Sequence, residues 1–148
     1  MGLLYIFGAV IFFIAILAIV GRIRLNRIRR ERHGKGFSRE RFLEAFREIG
    51  IPENIPAAVF DFYGSQKAYR GFSFLPDDEY SKVLCDDPDD IDEDALALLK
   101  QLGMVLPPEY ILKQRGDGPI KTLRDMILWL DWVRQRQPVA QDNSPAKL

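Results

Sequence analysis

The 148-residue chain has room for one modest domain, and its 21 basic and 21 acidic residues give a formal net charge of zero. One cysteine, Cys85, excludes an intramolecular disulfide. One histidine, His33, lies between Arg32 and Gly34 among positive charges that disfavour an imidazolium, which argues against histidine-based nucleophilic catalysis.

The first element is the charge-free run LLYIFGAVIFFIAILAIV, Leu3 to Val20. At about 1.5 Å per residue it covers most of a hydrocarbon core roughly 30 Å thick, and Gly2 and Gly21 complete a span. A soluble core helix would keep a polar face, and this run has none. A removed signal peptide fits poorly, because only the amino terminus supplies charge at the start and AIVGRIRLNR offers a poor cleavage site. Ile6 stands where N-myristoylation needs Ser or Thr. Residues 1–21 are therefore expected to be a single transmembrane helix.

Residues 22–36 form a basic juxtamembrane segment, in which Glu31 alone opposes seven bases. The bias of cytoplasmic flanks toward Lys and Arg places the amino terminus outside and the domain in the cytosol, at the inner membrane if the source is bacterial. Topology alone accounts for these bases. Arg22, Arg24, Arg27, Arg29, Arg30 and Arg32 are in addition candidates for lipid-headgroup contact, worth roughly 1 kcal/mol per nearby base. Nucleic acid is not an expected partner: no aromatics interleave the arginines, and the region beyond is acidic. The segment continues the helix for two or three turns until Gly34 and Gly36 make a short flexible link.

Residues 37–137 read as a helical domain. Ser38 caps a helix with Phe42, Phe46 and Ile49 on one face, stapled by Phe37 and closed by Gly50. Asn54 caps a second, with Pro56 in its first turn and Ile55, Val59, Phe62 and Tyr63 inward. Phe72 and Phe74 alternate like a strand without a visible mate, so they are read as a loop that plugs the core, followed by a helical turn near Asp78 to Val83. Asp90 and Glu93 then make a capping-box variant for a helix that buries Ile91, Ala95, Leu98, Leu99 and Leu102 and ends at Gly103. Pro107 and Pro108 begin a short helix that ends near Gly116. Thr122 caps the last helix, with Leu123, Met126, Ile127, Leu130 and Val133 inward and Pro138 as its stop. Residues 138–148 have little to bury and read as a disordered tail.

The acidic run CDDPDDIDEDALALL invites a calcium reading, which fails on spacing. Counted from Asp90, the sixth position of an EF-hand loop is Ala95 and the twelfth is Gln101, where Gly and Glu are needed. A solvated, helix-starting loop is the simpler account, and no metal site is expected. Cys85 follows Val83 and Leu84 and reads as a packed apolar residue. RGDGPIK lacks the spacing of a phosphate loop. No catalytic residue and no cofactor are expected. The partner-binding candidates are Asp86, Asp87, Asp89, Asp90 and Asp92, together with Trp132, which points off the buried stripe of the last helix.

The order of DEDALALLKQLGMVLPPEY and IKTLRDMILWL resembles an acyl carrier protein over roughly residues 55–133. Asp94, Ala95 and Leu96 resemble its Asp-Ser-Leu motif, Leu106 to Glu109 its hydrophobic-Pro-x-Glu turn, and Ile120 to Leu123 its last helix start. That resemblance implies an all-α, acyl-carrier-like bundle behind the membrane helix. Ala95 replaces the serine that carries phosphopantetheine, so it implies no prosthetic arm, and the chain is similar to the uncharacterised carrier-like proteins that lack this serine. The function expected is a membrane-anchored, non-enzymatic adaptor that presents an acidic helical surface to a cytosolic protein. The alternatives are a carrier-like accessory of acyl or lipid metabolism, or a small subunit of a membrane complex.

Overall fold

A computed structural model describes residues 2–32, 38–84, 88–109 and 118–137. These residues form five α-helices: α1 Gly2–Arg32, α2 Arg39–Arg47, α3 Asn54–Ser65, α4 Pro88–Gln101 and α5 Leu123–Arg134. A π-helical turn spans Tyr80–Leu84. No strand occurs among the described residues, and one isolated antiparallel bridge joins Glu79 to Thr122. The all-helical expectation holds.

The 31 residues of α1 make one uninterrupted helix, about 47 Å long at 1.5 Å per residue. It is long and apolar enough to cross a membrane, and none of its apolar window is covered by the rest of the chain. The helix does not stop at the end of that window. It runs on through the basic segment, and there Leu25 and Ile28 pack on the head. The Gly34 and Gly36 link and the Phe37 staple lie outside the described residues.

The head is built around α3, which packs against α2, α4 and α5. Ile55, Val59 and Tyr63 of α3 meet Phe42 and Phe46 of α2, Leu98 and Leu99 of α4, and Leu123, Met126, Ile127, Leu130 and Val133 of α5, all in one buried cluster. Phe72 and Phe74 enter the same cluster from the loop, as expected, at 4% and 2% exposure. The Phe74 ring ends an edge-to-face series that runs from Phe42 through Phe60, and Phe72 packs tilted against Phe74.

Helix ends explain the details. Ser38 caps α2 by accepting from the Arg41 N–H, and Thr122 caps α5 in a full capping box with Asp125. Gly50 and Gly103 both take a left-handed φ, and each lets the following N–H bond back to the helix: Ile51 to the Phe46 carbonyl, Met104 to the Leu99 carbonyl. This reversal corrects one core assignment. Ile49 is 54% exposed, and Ile51 takes the inward place expected for it.

Two caps also differ from expectation. α3 begins at Asn54, with Glu53 as its N-cap and no side-chain cap bond; Pro56 has no N–H, so one donor that a cap would serve is absent. α4 begins at Pro88, two residues before Asp90, because a proline ring presets φ for a first helical residue. Asp89 and Asp90 therefore lie in its first turn, against the positive end of the dipole. Residues 138–148 and most of the short helix expected after Pro107 lie outside the described residues.

Candidate functional site

Three features of the head have functional geometry: a buried clamp onto α1, an acidic face on α4, and a polar group inside the core beside that face.

The clamp joins Arg32, in the last turn of α1, to Asp78. The two guanidinium nitrogens donate to the two carboxylate oxygens at 2.7 and 2.5 Å, a bidentate pair with side chains only 13% and 4% exposed. Arg32 also donates to the Ser73 carbonyl at 2.7 Å and stacks 5.2 Å from the Phe72 ring centroid. One turn back, Arg29 donates to the Ala68 and Arg70 carbonyls at 3.5 and 3.3 Å. The loop is thus two-sided: its rings fill the core and its carbonyls bind the arginines of α1. Asp78 is held from the other side as well. Its carbonyl accepts the Leu123 N–H of α5 at 3.1 Å, while its carboxylate accepts the Leu75 N–H at 2.8 Å.

The acidic face follows from helical spacing. Ile91, Ala95, Leu98 and Leu99 are buried, so Asp89, Asp92, Glu93 and Leu96, at offsets of three, four and seven, share the opposite, exposed stripe. Leu96 is 52% exposed and gives this charged stripe an apolar centre. Asp92 also borders a cleft of about 460 Å³, whose walls include Tyr80, Ile91, Pro119 and Ile120.

Beneath the cleft, the hydroxyls of Tyr63 and Tyr80 share a buried hydrogen bond of 3.2 Å, and the Asp94 carboxyl hydrogen-bonds Tyr63. Burial pushes the Tyr63 phenol well above its ordinary range, with the neighbouring Tyr80 next in effect. Burial also raises Asp94, and the like charges of Asp90 and Glu93 add to it. Tyr63 is fully enclosed, Tyr80 lies at the cleft wall, and Asp94 is half-buried at the edge of the acidic face.

The sequence-derived candidates divide accordingly. Asp89, Asp90 and Asp92 are exposed on α4, and Asp86 and Asp87 lie outside the described residues. Trp132 is half-buried, and Arg136 lies 4.0 Å over its ring, so one face is already covered. Arg22, Arg24, Arg27 and Arg30 project from α1, with Arg27 paired to Glu31. Arg32, also a headgroup candidate, donates through both terminal guanidinium nitrogens to Asp78, with its side chain 13% exposed. Arg29 is committed in part to the Ala68 and Arg70 carbonyls. Sequence reasoning missed Asp78, which differs from Asp77 only in its fold partner: Asp77 is exposed and paired with Arg124 at 2.6 Å, which holds its carboxyl below the usual range.

Among the described residues no group of three or more His, Cys, Asp or Glu side chains could hold a metal ion. Ala95, at the centre of the Asp-Ser-Leu-like motif, lies well inside α4 and is buried, so its side chain faces the core. Comparison with protein-family models gives no match, and comparisons with curated proteins and with solved structures give none either.

Proposed function

We propose that this protein is a membrane-anchored, non-enzymatic interaction module whose head presents the acidic face of α4 to a basic cytosolic partner. The observation that carries the reading is the exposed stripe of Asp89, Asp92 and Glu93 around Leu96, on a helix whose other side is locked into the core. Charge steers the encounter and an exposed apolar residue adds contact area. Anchoring through α1, with the amino terminus outside and the bases inside, confines the head to the inner membrane surface, where weak contacts gain from local concentration.

Reversing Asp89, Asp90 and Asp92 to Lys in the full chain tests this reading. Proximity labelling in the native membrane should lose its principal partners in the variant, and an unchanged partner list counts against the proposal. Recovery of the full chain in the soluble fraction would remove the anchor reading.

A second reading, an accessory of acyl or lipid metabolism, draws support from the cleft walled by Tyr80, Ile91 and Ile120. Intact mass after coexpression with a phosphopantetheinyl transferase separates the two. Gain of the arm favours a carrier, and an unchanged mass excludes a phosphopantetheine carrier.

A further inference from the structure

We infer that the junction of α1 with the loop after α3 is a binding site for the headgroup of an anionic phospholipid. The inference rests on the anchor reading above. A cleft of about 580 Å³ lies between the two elements and is edged by Arg22, Asn26 and Arg29 of α1 and by Lys67 and Arg70 of the loop.

Its composition is one-sided. Four cationic side chains edge it, and no carboxylate lines it among the described residues. None of the four belongs to the ion pairs found among the described residues, where Arg27, Arg32, Arg39, Arg47, Lys82, Arg124 and Arg134 take the carboxylates. The Arg29 Nε is buried and has no hydrogen-bond partner among the described residues. Arg29 donates to the Ala68 and Arg70 carbonyls, which places the loop bases beside α1. Gathered like charges repel, and an anion between them relieves that repulsion.

Position selects the anion. Arg22 is the first charge after the apolar run, so it stands at the boundary of the hydrocarbon core. Headgroups occupy roughly 5–7 Å beyond that boundary on each side. Asn26 and Arg29 follow on the same helical face, Arg29 about 10 Å beyond Arg22 along the axis, so the cleft's lining runs from headgroup level toward the loop bases. A phosphodiester there meets guanidinium forks suited to its oxygens. A choline headgroup would bring a cation into the same cluster, so a net-anionic lipid is favoured.

The test uses the full chain in neutral detergent, titrated with phosphatidylglycerol or phosphatidylcholine, with bound lipid counted by native mass spectrometry. Wild type should retain phosphatidylglycerol in preference to phosphatidylcholine. The Lys67→Gln/Arg70→Gln variant, altered only at exposed side chains, should weaken that retention on the order of thirtyfold, about fivefold per base. Arg24→Gln/Arg30→Gln makes the same charge change outside the cleft and should weaken it far less. Arg22→Gln repeats the loss from the α1 side. Equal losses in the two double variants overturn the site, as does release of the lipid by millimolar inorganic phosphate. A chain that stays in the membrane fraction but shows no cleft-dependent selectivity overturns this inference alone. A chain found in the soluble fraction overturns the anchor reading with it.

Discussion

Asp94 shows how one half-buried acid gives the head a pH-dependent contribution to stability. Desolvation raises its folded-state pKa above the ordinary 3.8 of an unfolded chain, against the lowering effect of the Tyr63 hydrogen bond. The native state therefore holds the Asp94 proton more tightly than the unfolded state does. The stability this gives is fully present below about pH 4 and is lost as pH rises through the folded value. Asp94→Asn keeps an acceptor for Tyr63 and removes the titration. The variant is expected to unfold at a higher denaturant concentration than wild type at neutral pH, with the difference vanishing on acidification below pH 4. Urea melts across that range measure it, and a difference independent of pH would contradict the assignment.

At the scale of elements, the helix ends decide which residues reach the core. The Thr122 hydroxyl accepts the Asp125 N–H at 3.1 Å, and the Asp125 carboxylate accepts the Thr122 N–H at 2.9 Å. This start is shared with the loop: the Tyr80 N–H bonds to the Lys121 carbonyl, and the Arg124 N–H to the Pro76 carbonyl. Thr122→Ala is expected to cost about 1 kcal/mol in equilibrium unfolding, the usual effect of losing such a cap. The other end of α5 is tied by Gln137, whose amide both donates to and accepts from the Val105 backbone at 2.9 Å. That pair links α5 to the chain leaving α4 without any regular secondary structure.

At the scale of the molecule, the clamp makes α1 and the head one body. A basic segment ending in glycines suggests a loose stalk, yet the last two turns of α1 pack apolar residues and arginines directly onto the head. Asp78→Ala leaves the Arg32 guanidinium buried without its carboxylate, and such removals typically cost about 3–5 kcal/mol. The full chain in detergent should lose that much stability. Spin labels at Arg24 and Gln101, both exposed, in a Cys85→Ser background should report a narrow distance distribution in wild type and a broad one in Asp78→Ala. Narrow distributions in both would mean that Asp78 does not hold the head in place. A fixed head matters for the proposed function, since it presents the α4 face at a constant attitude to the bilayer.

Local chemistry made the helices legible from residue order alone. The apolar run, the Ser38 and Thr122 caps, the glycine stops at 50 and 103, and the inward stripes of α4 and α5 all follow from periodicity and backbone preference within a few residues. The exposed acids of α4 follow too, because burying Ile91, Ala95 and Leu98 turns their neighbours outward. What tertiary structure alone decided is pairing across distance. Arg32 with Asp78, and Arg22 and Arg29 with Lys67 and Arg70, stand about forty residues apart, and nothing in their immediate neighbours distinguishes them from other charges. A charge acquires its role from the partner and dielectric that folding supplies, so residue order reveals where charges are and only the fold shows which are spent.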